Sequence, residues 1–389
     1  MPVKLKWITR PLAVLLTLPA CALMAACGPD LQPCPTSPVP GGLAVAVGDR
    51  ANSPKPAWPA ELDAELQTLT QTAGPGVQDR GVTLVRADGR PAIGCVLSYG
   101  GDEENPEATA HAKNVFLESV QDEAVNLAAA APEANPLEAI SHAAAAAGPG
   151  GTVALIDSGL QTVAPLDFRA DHLLDKNTDW LVSALVQKHA LPDLSGRKVI
   201  LSGIGYTAPP QAELSVGDRA HLIELWQKIA RAAGAREVVI VAKPDTTPPD
   251  AGLPDVGEIP IQPPGNPVPD CNQDAVLPDD GAVGFVPGHT EFRHEKQATA
   301  TLQTISDWLK GHSSAKGKIT GSIAHYGSDD GLSKRRADRV RSVLVGLGAR
   351  PDQLSAAGEG WGPFPSKTAG GSPEFDPLNR RVVISFTCV

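Results

Sequence analysis

The sequence predicts an α/β protein in two parts: a doubly wound, mostly parallel sheet over residues 43–243 and a smaller C-terminal α+β domain of β-α-β-α-β order over residues 284–389. Three observations predict this. Short, continuous apolar runs alternate with helical stretches through the first part, as strands buried on both faces of a parallel sheet require. Between Pro244 and Val283 lie ten prolines and eight acids with no lysine or arginine, a composition that supports neither helix nor central strand and reads as an extended acidic linker over residues 244–283. Beyond Phe285 the alternation of strand and helix signals resumes.

Each element follows from local pattern. "GLAVAV", ending in Gly48-Asp49, is a first strand; "AELDAELQTLTQ" has helical spacing; "GVTLVRADGRPAIGCVLSYGG" is a hairpin turning at Asp88-Gly89. Alanine-rich helices are expected over Ala108–Ala131 and Pro136–Ala147, then a strand in "GTVALIDSGLQT" and a helix around Trp180–His189. "RKVILSGIGYT", a helix from Val216 to Ala233 opened by Ser215, and "REVVIVA" complete the first part. In the second part "VGFVPGHTEF" gives a strand and turn, and "EKQATATLQTISDWLKGH" sets Ala298, Leu302, Ile305, Trp308 and Leu309 on one helical stripe. "GKITGSIAHYGS" is the next strand. The run "LSKRRADRVRSVLVGLG" starts a helix with Ser333 as N-cap, stops it near Gly348 and turns Ala337, Val340, Leu344 and Leu347 inward. After "LSAAGEGWG" a loop leads to a last strand, "NRRVVISF".

Residues 1–27 have the layout of an export signal: Lys4, Lys6 and Arg10 precede an apolar run that ends in small residues. The run Leu23-Met24-Ala25-Ala26-Cys27 resembles the bacterial lipobox, which implies a lipid on Cys27 and a bilayer as partner. Residues 28–42 then tether the anchor to the first domain. Processing at Cys27 leaves Cys34, Cys95, Cys271 and Cys388, an even number suited to two disulfides in an oxidising compartment, whereas processing at Cys21 strands one thiol. Cleavage near Ala26 without a lipid is the alternative. Cys271 with Cys388 would staple the entry of the second domain to its last strand, and Cys34 with Cys95 would pin the tether to the hairpin. The chain is therefore expected in the cell envelope, exported and lipid-anchored to a bacterial membrane.

Charge and motif content exclude several functions. A net charge of -11 opposes binding to nucleic acid or to anionic lipid through a basic surface. After the signal, no apolar run approaches the roughly 18 residues that span a bilayer. Neither a GxSxG elbow, nor HExxH, nor a phosphate-binding loop with its lysine occurs, and His111, His142, His172 and His189 are scattered through helical stretches. No catalytic activity and no cofactor are expected.

Ligands of parallel sheets bind beyond the strand ends, here "VGDRANSP", "LIDSGLQT" and "SGIGYTAPP". The element order resembles the von Willebrand factor A fold, whose metal site uses Asp-x-Ser-x-Ser after the first strand. The matching positions are Asp49, Ala51 and Ser53, so the middle hydroxyl is missing, while Asp157, beside Ser158, falls where another metal-site acid of that fold would fall. A hard divalent cation needs about six oxygens, which sets Asp49, Ser53 and Asp157 as weak metal candidates against a second reading in which both acids cap neighbouring turns.

Gly321, Gly327, Leu332-Ser333, Arg336-Ala337, Gly358-Glu359-Gly360 and Asn379-Arg380-Arg381-Val382 together resemble the OmpA-like peptidoglycan-binding domain. The resemblance implies a site for the free end of diaminopimelate in a stem peptide, a zwitterion that needs an acid and a cation side by side. Arg336 falls where the family's carboxylate-binding arginine falls, and a guanidinium fork suits a carboxylate. The family motif Gly-His-Thr-Asp is here Gly321-Ser322-Ile323-Ala324, so the ammonium-binding acid is alanine. Three readings follow: Asp329 or Asp330 replaces that acid; binding is weak or uses Arg336 with Asn379 and Arg380 only; or the domain is a relic that serves as a protein-interaction scaffold, the protein then being an interaction module of a secretion or motility assembly. An envelope protein partner for the first domain is compatible with each.

Overall fold

The computed structural model describes residues 35–36, 42–72, 80–99, 105–170, 173–241, 247–261, 269–325, 329–364 and 376–388. The predicted signal, Cys27 and Cys34 lie outside these residues. Strands β1 (Leu43–Val47), β2 (Arg80–Arg86), β3 (Ala92–Tyr99), β4 (Thr152–Ile156), β5 (Lys198–Ser202) and β6 (Glu237–Ile240) form one sheet of order β3-β2-β1-β4-β5-β6. All neighbours are parallel except the β2–β3 hairpin.

Both faces of this sheet are covered. Leu43, Val45 and Val47 of β1 pack with Leu62 and Leu66 of helix α1 (Ala60–Thr72) and Phe116 and Val120 of α2 (Pro106–Val125). Ala44 and Ala46, pointing the other way, meet the cluster that holds Ala139, Ile140 and Ala143 of α3 (Pro136–Ala147), Leu181 of α4 (Thr178–Gln187) and Trp226 of α5 (Val216–Ala232). Two-sided burial is why β1 and β4 carry no polar alternation. Asparagine caps set three helix starts, of which α3 begins at Pro136 as expected: Asn105 accepts from Ala108 N, Asn135 from Glu138 N and Asn177 from Trp180 N. The helix expected over Ala108–Ala131 thus begins two residues earlier and ends at Val125. Ser215 caps α5 as expected, accepting from Asp218 N at 3.1 Å.

The C-terminal sheet has order β7-β10-β8-β9, from β7 (Asp274–Pro278), β8 (Lys316–Ile323), β9 (Leu354–Trp361) and β10 (Arg381–Thr387). Strand β10 runs antiparallel to β7 and β8, and β8 runs parallel to β9. Helices α6 (Glu295–Gly311) and α7 (Leu332–Gly346) cover it, and the short α8 (Asp376–Asn379) precedes β10. Ala298, Leu302, Ile305 and Leu309 are buried as the stripe predicts, and so are Ala337, Val340 and Leu344.

Two strands differ from the sequence reading. The first strand is Asp274–Pro278, inside the acidic proline-rich stretch, whereas "VGFVPGHTEF" is a turn closed by the Phe285–Phe292 bridge. Strand β7 is an edge strand, where a terminal proline costs no ladder bond. "LSAAGEGW", which the β-α-β-α-β reading does not count among its strands, is β9 at the opposite edge, paired on one side. The proline-rich stretch also packs back: Ile259 is buried and exchanges two hydrogen bonds with the Gln211 side chain, at 2.7 and 3.0 Å.

Cys271 and Cys388 are bonded as expected. Cys95 is also disulfide-bonded. Among the described residues, no helix is long and apolar enough to cross a membrane.

Helix α7 sits unusually close to the sheet. A β-carbon on Gly321 would lie 2.3 Å from Ser333 O, and one on Gly358 would lie 2.5 Å from Lys334 N. Both obstacles are helix backbone and cannot rotate away. A Gly358→Val substitution is expected to lower unfolding stability by about 1–3 kcal/mol, read from the midpoint of urea denaturation.

Candidate functional site

Helix α7 presents Arg336 to the turn between β7 and α6. The side chain is buried, with the residue 5% exposed, yet its guanidinium meets carbonyls rather than an acid. Nε donates to His289 O at 3.1 Å, Nη2 to Val286 O at 3.3 Å, and the group lies 4.9 Å above the Phe285 ring. Of the buried arginines among the described residues, Arg50, Arg197 and Arg381 each have a carboxylate within ion-pair distance, and Arg336 has none. Burial pulls the Arg336 pKa below its ordinary value; Asp279 opposes this and Arg380 and Arg293 add to it. An arginine stays charged through such a shift.

Those neighbours form the rest of the cluster. Asp279 Oδ2 stands 3.1 Å from Arg293 Nη2 and 3.5 Å from Arg380 Nε, and its Oδ1 accepts from Phe285 N at 3.2 Å. Two guanidiniums thus flank one carboxylate while the third, that of Arg336, feels all three charges without pairing, so cations outnumber acids in the cluster.

The expected acids are used elsewhere. Asp329 caps α7, accepting from Ser333 N at 3.1 Å and Ser333 Oγ at 2.7 Å. Ser333 is therefore inside the helix and Gly331, with φ 80°, holds the N-cap position. Burial favours the protonated Asp329, but the bonds from Ser333 and Leu332 outweigh it and hold its carboxyl below the usual range. Asp330 is exposed, and its carbonyl accepts from Arg335 Nη1. Asn379 is buried: its side chain accepts from Phe364 N at 3.0 Å and donates to Phe364 O at 2.9 Å. It locks a loop and does not face the Arg336 cluster. Arg380 reaches the cluster, whereas Arg381 turns the other way to Glu224 of α5 at 2.6 Å.

Arg293 and Asp279 were not found from sequence, because one stands in the misread "VGFVPGHTEF" turn region and the other in the acidic stretch. A second feature, His325 edge-on to the half-exposed Trp361 at 5.4 Å, follows Ala324 at the end of β8.

Residues 284–374 match the OmpA family model. The chain carries an OmpA-family domain at its C-terminal end. Solved structures with similarity include the periplasmic domain of Helicobacter pylori MotB, 19% identical over 30% of this chain and 81% of that one, with a TM-score of 0.25. Others are the peptidoglycan-associated lipoprotein from Burkholderia pseudomallei, 24% identical over 29% and 89% with a TM-score of 0.24, and a putative MotB-like protein from Desulfovibrio vulgaris, 22% identical over 30% and 75% with a TM-score of 0.25. No curated protein matches.

The α/β unit lies outside the OmpA-family match, and its strand ends do not suit a cation. Arg50, fully buried, sets Nη1 2.9 Å from Asp157 Oδ2 and Nη2 3.0 Å from Asp157 Oδ1, and donates to Ser158 Oγ and Ala87 O. Asp157 Oδ1 also accepts from Gly159 N at 2.6 Å. Ser53 Oγ donates to Gly48 O at 3.1 Å. Asp49 is buried, and burial, with Asp250 adding, raises its pKa. A divalent cation would have to displace the guanidinium that already neutralises Asp157. Among the described residues no group of three or more His, Cys, Asp or Glu side chains could hold a metal.

Burial also raises the Asp157 pKa, against the pull of Arg50. Removing the partner strands the acid. Arg50→Met is expected to cost about 3–5 kcal/mol of unfolding stability, and adding Asp157→Leu to recover most of it, as measured by urea denaturation of both variants.

Proposed function

We propose that the protein is a lipid-anchored, peptidoglycan-associated envelope protein without catalytic activity, joining membrane to wall. Cys27 carries the lipid, the von Willebrand factor A-like α/β unit recruits an envelope partner, and the OmpA-like domain holds the carboxylate of a diaminopimelate stem peptide non-covalently at Arg336. The observation that carries this reading is the buried Arg336 guanidinium, held in place by the carbonyls of Val286 and His289 and, among the described residues, paired with no acid. A fixed fork with charge to spare is what bidentate carboxylate recognition needs. The family match over residues 284–374 supports the same assignment.

A second reading has one observation in its favour. Ala324 stands where the family acid would stand, and Asp329 is committed to capping α7. On that reading the domain is a scaffold in a secretion or motility assembly and does not hold the wall.

Cosedimentation with purified sacculi separates the two. Wild type is expected to be retained. Arg336→Ala and Arg336→Lys should weaken retention about tenfold or more, the loss of a charge-assisted pair worth roughly 1.5–3 kcal/mol, while exposed Arg335→Ala should be retained. Absence of wild-type retention would establish the scaffold reading.

A further inference from the structure

The OmpA-like domain and the α/β unit meet along α4, α5 and β7. Asn177 Nδ2 donates to Asp274 Oδ1 at 2.7 Å, Asn177 N donates to Asn272 O at 2.6 Å, and Lys176 Nζ lies 3.4 Å from Asp270. Phe364 and Leu378 of the second domain are buried in the core cluster of the first. One contact differs in kind from these. Glu224 divides its carboxylate between the units: Oε1 lies 3.1 Å from Lys228 Nζ on its own helix, while Oε2 reaches Arg381 Nη2 at 2.6 Å. Arg381 is itself buried and lies over the Phe364 ring at 5.1 Å.

From Arg381 the connection runs to the cluster without a gap. Its neighbour Arg380, the residue just before β10, sends its side chain to a different partner and stands 3.5 Å from Asp279. The backbone repeats the link, since Asp279 N donates to Arg380 O at 2.8 Å. Asp279 then accepts from Phe285 N, and the Phe285 ring lies beneath Arg336. On the other flank Ser322 Oγ donates to Asn379 O at 2.7 Å, so the segment before β10 is held on both sides.

We infer that Glu224, in the α/β unit, is a positioning residue for the anion site of the OmpA-like domain, acting through Arg381 to hold Arg380 and Asp279 beside Arg336. The inference rests on the wall-binding reading for its affinity consequence and stands apart from it for its structural one. The α/β unit then does more than carry the domain: it completes its site. Burial works to raise the Glu224 carboxyl, but Arg381, Lys228 and His221 outweigh it and keep the group ionised, as the role requires. Because Asn177, Lys176, Phe364 and Leu378 also join the units, removing one charge at Glu224 leaves them docked.

The test uses the full chain with Glu224→Gln, Arg381→Met, the double variant, Arg336→Ala and, as a control, Asp352→Asn in the exposed Arg350–Asp352 pair. Two readouts are taken. The first is affinity for meso-diaminopimelate and sacculi: Glu224→Gln and Arg381→Met should each weaken it about tenfold, and the double variant no further, as expected of two groups acting as one unit. The second needs no ligand: the Nε–H signals of Arg380 and Arg336 in nuclear magnetic resonance should move in Glu224→Gln and stay in Asp352→Asn, with small-angle scattering unchanged. Affinity within twofold of wild type in Glu224→Gln, while Arg336→Ala fails to bind, would overturn the inference and leave the wall-binding reading standing. Unmoved arginine signals would overturn it even if the wild-type chain binds no wall. Moved signals without wild-type binding would sustain the positioning role and remove the wall-binding reading instead.

Discussion

A guanidinium taken out of water must be given acceptors, because burying an uncompensated charge costs far more than any packing gain returns. The architecture depends on how that demand is met at each site. At the ends of β1 and β4, Arg50 takes both oxygens of Asp157 and closes the sheet's natural ligand position. Across the two units Arg381 takes Glu224. Among the described residues Arg336 receives carbonyl oxygens and no acid, which fixes its direction without cancelling its charge. Among the buried arginines of the described residues, Arg336 is the one without a carboxylate at ion-pair distance, which is why the proposed binding role falls on it.

That distinction could not be read from the sequence, where each arginine is one more basic residue. Much of the frame could. The apolar runs of β1, β4 and β5, the α6 stripe and the inward positions of α7 follow from periodicity, since burial repeats with the pitch of the element. The Cys271–Cys388 bond followed from position alone. What was hidden shares one physical cause: it depends on partners distant in the chain. Strand β7 has no apolar signature of its own and exists because β10 pairs with it. Strand β9 is glycine-rich since α7 approaches within backbone contact, and those glycines imitate a loop. Ser333 precedes the basic run as a cap would, yet the cap is supplied four residues upstream by Asp329.

The site shows the same division. Arg336 was found by its place in a helix and by resemblance. Asp329 and Asp330 were reasonable replacements for the acid lost at Ala324, but helix capping claims the first, and the main chain of the second is engaged by Arg335. Arg380 and Arg381 were inseparable by spacing. The backbone at the entry to β10 separates them, sending one side chain to Asp279 and the next to Glu224.

This parity bears on how the two units are joined. Apolar burial is non-directional, so Phe364 and Leu378 sinking into the first core hold the domains together without specifying their register. Polar contacts carry the specificity, since a misplaced Arg381 or Asp274 would be left buried without its partner. Both kinds converge on the few residues before β10. Asn379 fastens the loop that carries Phe364, Arg380 faces Asp279, and Arg381 faces Glu224. A slip of one residue in the β10 register would bring Val382 into the place of Arg381, or Asn379 into the place of Arg380, so that either the interface loses its ion pair or Asp279 loses one of its arginines. The antiparallel pairing of β10 with both β7 and β8 therefore sets more than the fold of one sheet: it fixes which cation each unit receives.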